Sequence, residues 1–372
     1  MAADGILLAR PKEVGTGTPL AVKDLLDTAG LTTTYGSAIF AGHVPTTSAE
    51  AVLRLETAGY ANVGKTNLHE FAYGITSENP HFGTVPNPLA PGRIAGGSSG
   101  GSAAALAAGL AVAALGTDSG GSIRIPAACC GVVGLKPTYD LVPTGGCFPL
   151  APSFDHVGPM GRTVAACSAQ LESLADGFAP TRVESLEELH VAVAWIQEAD
   201  PLVGARVREA AAQFPRARDI DWPRPRIDAL FMREVADVHR ELYSENAELY
   251  GDDLATKIER CLAVSDAEAT HAARARKEYR ERCAELLEGF ELLLTPTLSC
   301  VAPPVGVGDL ALRATLTRNT LPFNTLGWPA LALPCGAAED GLPASVQLVG
   351  RPGADALVLA AGERLAATLS GT

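Results

Sequence analysis

The sequence predicts an α/β fold with a mainly parallel or mixed sheet and a helical insertion in the middle of the chain. Three observations carry that expectation. Over the first 180 residues short apolar runs alternate with helical patterns, separated by Gly and Pro. From about Glu184 charge density rises and glycine thins out, and Ile227 to Phe290 reads mostly as amphipathic helix. Buried-strand patterns then return at Glu291 to Pro296 and from Pro329 to Val349, around a turn at Asp340-Gly341. Sheet, helices and sheet again put the C-terminal strands in the layer that the N-terminal part begins. The expected organisation is one domain over 1–372: a core at 1–180, a helical substrate-side region at 181–290, and strands with a helix at 291–372 that complete the sheet.

The elements follow in order. Pro19 to Lys23 reads as a strand running into Asp24. Thr47 to Ala58 has a helical period, with Ala51, Leu55 and Ala58 on one face and Thr46, Thr47 or Ser48 as its cap. Ala61 to Lys65 is a short strand and Thr66 to Ala72 a capped helical turn. Ser102 to Gly109 is a helix and Val112 to Gly116 a buried strand. Asp266 to Leu287 is a long amphipathic helix. The chain has no low-complexity linker and no internal repeat.

Of 372 residues 47% are hydrophobic and 19% charged, enough for a sizeable core. The net charge of -13 repels phosphate backbones, and the densest basic stretch, Arg274 to Arg282, alternates with Glu278 and Glu281. No nucleic-acid partner is expected. The eight cysteines show neither disulfide nor zinc spacing, so no metal is expected and a reducing cytoplasm is the simplest compartment. Met1 to Arg10 lacks a basic stretch followed by a long apolar run, and Ser102 to Leu115 is too short to span a bilayer.

Two glycine-serine clusters stand out: Gly96-Gly97-Ser98-Ser99-Gly100-Gly101-Ser102, and Gly116-Thr117-Asp118-Ser119-Gly120-Gly121-Ser122-Ile123-Arg124. Alone, either is a flexible loop. Here each is tied to an apolar element, and consecutive glycines leave several N–H groups free to converge on one spot, as an oxyanion hole requires. A serine beside such a nest is a candidate nucleophile. Gly96 to Gly100 also matches the G-x-S-x-G nucleophile elbow, which would need a downstream Asp or Glu and a His. His156, His190, His239 and His271 are available, but none sits in a convincing loop context.

GGSSGGSAAALAAG followed by LGTDSGGSIRIPAACCGVVGLKPT resembles the signature region of the amidase signature family. PLAVKDLLDTAG, SFDHVGPMGRTV, LLLTPT, NTLGWPALALPCG and GLPASVQLVG are similar to further segments of that family, so the resemblance spans nearly the whole chain. It implies a large mixed β-sheet covered by helices on both faces. It also implies a Ser-cisSer-Lys apparatus without cofactor: Lys23 as base, Ser98 as the bridging serine after a cis peptide bond, and Ser122 as nucleophile. The implied oxyanion hole is the N–H groups of Ser119, Gly120, Gly121 and Ser122. Asp118 and Ser99 are supporting residues that orient the serines. Arg124 reads equally as a partner for a substrate carboxylate or as a structural ion pair, for instance with Asp118. Arg318 and Asn319 are candidate substrate contacts with a packing role as the alternative.

Lysine is ordinarily protonated up to about pH 10.4 and cannot then be a base, so the scheme requires burial to lower its pKa. Lys23 ends an apolar strand, which makes such burial plausible. The implied function is hydrolysis of a small-molecule amide through an acyl-enzyme. The alternatives are the A-type glutaminase subunit of a tRNA-dependent amidotransferase and a catalytically dead binding protein, which loss of Lys23, Ser98 or Ser122 would signal. Family members usually carry several dozen more residues before the lysine than the 22 found here. The helices they form are therefore expected to be absent or replaced by a partner protomer, as in a homodimer.

Overall fold

A computed structural model describes residues 5–371. Residues 1–4 of the stretch read for a leader lie outside it. An 11-stranded sheet runs through the molecule in the order β1-β3-β2-β6-β8-β7-β12-β13-β11-β9-β10. Its first half comprises β1 (Leu7–Ala9), β2 (Thr18–Lys23), β3 (Tyr60–Thr66), β6 (Ala113–Thr117), β7 (Val133–Lys136) and β8 (Val157–Gly161). The small pair β4 (Glu78–Asn79) and β5 (Gly83–Thr84) stands apart. The second half comprises β9 (His190–Val193), β10 (Arg216–Asp219), β11 (Leu292–Pro296), β12 (Ala330–Ala337) and β13 (Pro343–Val349). The sheet is mixed: β3, β2 and β6 are mutually parallel, and the pairs from β6 to β11 through the centre are antiparallel.

Side chains alternate across a strand, and β2 shows what that does here. Leu20 and Val22 enter the core under α1 (Glu50–Thr57), α4 (Val164–Leu174), α5 (Pro201–Ala211) and α11 (Asp355–Ser370). Ala21 enters the opposite core, filled by alanines of α2 (Gly100–Ala107) and by α3 (Arg124–Cys129). Two residues on from Ala21, Lys23 therefore lies on the α2 side. Only small side chains on that face let α2 come close enough to the sheet for its leading serines to reach the strand ends.

The middle of the chain is less purely helical than expected. It supplies α6 (Asp228–Asn246), α7 (Asp252–Leu262) and α8 (Asp266–Leu286), the last opened by a Ser265–Glu268 capping box. Before them, however, β9 and β10, joined through α5, extend the sheet. β10 escapes sequence patterning because RARD at a sheet edge has no apolar alternation to show. Two further expectations change. Ser48 does not cap α1: its hydroxyl accepts the Ala29 N–H (2.9 Å), and the cap position falls on Ala49. Thr66 ends β3, and only Glu70 to Ala72 make a short 3-10 turn, without a side-chain cap and with Phe71 and Ala72 left-handed (φ 46° and 58°). The β12–β13 connection does turn at Asp340 and Gly341, both left-handed (φ 56° and 72°), and the hairpin lies between β7 and β11. The remaining helices are α9 (Asp309–Thr317) and α10 (Leu321–Leu326). Among the described residues no helix is long and apolar enough to cross a membrane.

Candidate active site

Three chain segments meet at the ends of parallel strands. Lys23 is the last residue of β2, Ser98 and Ser99 lead into α2, and Ser122 sits in the loop between β6 and α3. Lys23 is fully buried, and its Nζ lies 2.7 Å from Ser98 Oγ and 2.6 Å from Thr117 Oγ1. Burial pulls its pKa down to about 7, against the opposing fields of the Asp118 and Asp155 carboxylates. The next residue, Asp24, accepts bonds from the Thr34 N–H (2.8 Å) and Thr34 Oγ1 (2.5 Å) and faces Lys65 Nζ at 3.3 Å. These contacts pin the turn that follows the lysine.

The Gly97–Ser98 peptide is cis. The Ser98 carbonyl accepts the His69 N–H (3.2 Å). Ser99 Oγ donates to the Thr117 carbonyl and accepts the Thr117 N–H, both at 3.2 Å, which ties the serine segment to the end of β6. The Ser99 N–H donates to the Ser122 carbonyl (3.1 Å), linking the two serine clusters. Ser122 is 6% exposed, and among the described residues its hydroxyl has no hydrogen-bond partner. The contact between the Ser98 and Ser122 hydroxyls is thus open here, a common state for catalytic pairs that tighten around substrate.

The serine loop is organised by Asp118. Its carboxylate accepts the N–H groups of Gly121 (2.8 Å) and Ile123 (3.2 Å), Asn324 Nδ2 (2.8 Å), and Arg124 Nε and Nη2 (3.0 and 2.9 Å). Burial pushes the Asp118 carboxyl up. Arg124 outweighs it, with help from Lys136 and Asn324, and holds the group well below the usual carboxylate range. Gly121 must be glycine: its φ is +129°, and a Cβ there would lie 2.3 Å from Thr320 Oγ1. The Gly121 N–H, expected to point at an oxyanion, is engaged by Asp118 instead. The N–H groups of Ser119, Gly120 and Ser122 donate to no acceptor among the described residues.

The three candidate substrate contacts all have protein partners. Arg124 is fully buried, and besides Asp118 it donates to the Thr320 carbonyl (2.9 Å), Gln347 Oε1 (3.2 Å) and Asn324 Oδ1 (2.7 Å). It has nothing left for a ligand. Arg318 pairs with Glu198, and its carbonyl accepts Arg224 Nη1. Asn319 is buried between Arg224, which donates to its Oδ1 (3.2 Å), and Gln347, which donates to its carbonyl (2.7 Å). Arg124→Ala is expected to cost about 3–5 kcal/mol of stability, because it strands a buried carboxylate. Chemical denaturation of the two proteins measures it.

Residues that the sequence does not single out are equally close. Thr117 holds the lysine. Asp155, from the loop before β8, accepts Ser119 Oγ (2.6 Å). Thr117, Ser119, Cys147, Phe148, Leu150 and Asp155 are among the walls of an ≈ 80 Å³ cavity beside the loop. His156 reaches neither serine: its Nδ1 lies 2.7 Å from the Phe154 carbonyl and its Nε2 faces Lys136 Nζ at 3.2 Å. That leaves the nucleophile-elbow reading without its histidine among the described residues. Elsewhere His69, Asp253 and Asp309 bring three ligand-type atoms within 4.8 Å of one another. Lys257 Nζ already sits 2.7 Å from both carboxylates and takes the place a cation would fill.

A family model described as Amidase matches residues 3–217 and 208–359. The chain belongs to the amidase signature family. It is a hydrolase acting on carbon–nitrogen bonds. This amidase is 35% identical over 387 residues to AtzE, a component of the 1-carboxybiuret hydrolase of Pseudomonas sp. (strain ADP), covering 94% of this chain and 83% of the relative. It is 36% identical over 397 residues to the A subunit of glutamyl-tRNA(Gln) amidotransferase from Symbiobacterium thermophilum, covering 92% and 81%. A crystal structure of an amidase superposes with a TM-score of 0.85 at 37% identity, covering 95% of this chain and 85% of the other.

Proposed function

We propose that this amidase hydrolyses a small-molecule amide through a Ser122 acyl-enzyme, with Lys23 as the base and Ser98 as the bridge. The observation that carries the reading is a lysine buried enough to be neutral near pH 7 and placed 2.7 Å from the Ser98 hydroxyl. Neutral Lys23 takes the Ser98 proton as Ser98 takes that of Ser122. Ser122 Oγ attacks the amide carbon, and the N–H groups of Ser119, Gly120 and Ser122 receive the oxyanion. The relay then returns the proton to the leaving nitrogen, releasing ammonia or an amine. Water, deprotonated by the same relay, hydrolyses the ester.

The test is release of ammonia or amine from a panel of small amides by the purified chain alone. The expected result is turnover whose kcat/KM falls about tenfold per pH unit below about 7, since only unprotonated Lys23 serves as base. Relatives described as the A subunits of amidotransferases favour one other reading, a subunit that needs its partners. Turnover seen only after partner subunits are added would select it.

A further inference from the structure

Asp155 stands where two parts of the proposed apparatus come together. Its carboxylate accepts four contacts and offers none: Ser119 Oγ at 2.6 Å, the Leu150 N–H at 2.9 Å, and the Ala151 N–H at 3.1 and 3.2 Å to its two oxygens. Burial raises its pKa above the ordinary carboxylate value, and these donors, with Lys23, pull it back towards the anion. Ser119 is the residue whose side chain is spoken for while its N–H is free. Asp118 grips the loop at Gly121, Ile123 and Arg124, beyond the free N–H groups of Ser119 and Gly120. Asp155 is the grip on the near side, and it comes from a different segment of the chain.

The second contact is electrostatic. The charged groups that bear on Lys23 are Asp118 from the serine loop and Asp155 from the segment before β8, while the Cys147 thiol beside them stays neutral because burial pushes its pKa up to about 12. On the neighbouring strand Lys65 faces Asp24, so that pair largely satisfies itself. Asp118 is ion-paired with Arg124, whereas Asp155 is in no ion pair among the described residues, and both carboxylates favour the Lys23 ammonium.

We infer that Asp155 is a positioning residue for this reaction: it fixes the Ser119 N–H that receives the oxyanion. The inference rests on the Ser122 acyl-enzyme reading. Because the Ser119 donor matters in the transition state rather than in substrate binding, its misplacement is felt in kcat. Because an anion near an amine favours the ammonium, its removal moves the amine's titration to lower pH.

Asp155→Asn keeps the shape and one acceptor oxygen. Its kcat is expected to fall about 10–100-fold with KM changed less than about threefold, and the acid limb of kcat/KM should move to lower pH. Ser119→Ala removes only the 2.6 Å contact and leaves the Leu150 and Ala151 bonds in place. It should reproduce the loss in kcat without moving the acid limb. A purely structural Asp155 would lower the melting temperature and leave the limb unmoved. If Asp155→Asn and Ser119→Ala both keep kcat within about twofold and the limb stays put while Ser122→Ala is dead, the inference is overturned and the acyl-enzyme reading stands. Turnover by Ser122→Ala overturns that reading and takes the inference with it. Should Asp155→Asn fail to fold, Ser119→Ala decides alone, with unchanged kcat as the refuting result.

Discussion

Ser122→Ala is expected to lose at least about 10⁴-fold in kcat/KM and all labelling by a serine-directed phosphonate, while melting within about 2 °C of the parent. The two halves of that expectation have separate causes. Without the hydroxyl there is no acyl-enzyme, and the free N–H groups can only polarise an amide that water must attack unaided. Yet the hydroxyl has no hydrogen-bond partner among the described residues, so its removal orphans no buried donor or acceptor. A dead and equally stable variant is therefore the signature of a nucleophile. A dead and unstable one would mean that Ser122 shapes the loop. Near-normal turnover would refute the assignment.

Lys23→Met gives the second large effect, and its stability moves the opposite way from its activity. Loss of the base should cost about 10²–10⁴-fold in kcat/KM, not recovered at high pH. For stability, the unfolded chain holds the lysine proton up to about 10.5 and the folded one only to about 7. Between those values the unfolded state binds more protons, so the lysine makes stability rise with pH across that window, and its penalty is fully present below about 7. Methionine carries no such penalty. The variant should melt no lower than the parent near pH 7, and its stability should climb less steeply from pH 7 to 10. Thermal melts across that range read both quantities. Lost bonds to Ser98 and Thr117 offset only part of the gain.

What can be read from sequence is whatever depends on near neighbours in the chain. An apolar strand ending in lysine, two glycine-serine loops and an Asp-Gly turn are local patterns, and each lies where it is expected. Arg124 shows the limit. Its neighbours suggest Asp118, but the residues that use up its remaining donors are Thr320, Asn324 and Gln347, about two hundred positions away. Thr117 and Asp155 are silent for the same reason: the bonds of Thr117 to Lys23 and of Asp155 to Ser119 exist only once distant segments of the chain meet. The Gly121 N–H misleads because a glycine nest counts donors without showing which one an aspartate three residues earlier has already taken. β10 stays hidden because an edge strand made of charged residues obeys no hydrophobic period.

The place of the β12–β13 hairpin bears on how the molecule is made. A ribosome delivers these two strands after every other strand of the sheet, yet they belong between β7 and β11. Without them the sheet order falls into two separate ribbons, β1-β3-β2-β6-β8-β7 and β11-β9-β10, each with an edge left to pair. Gln347, which anchors Arg124, is on β13. In the folded molecule the hairpin is the seam that joins the two ribbons into one sheet, and it is also where Gln347 reaches across to the serine loop's arginine.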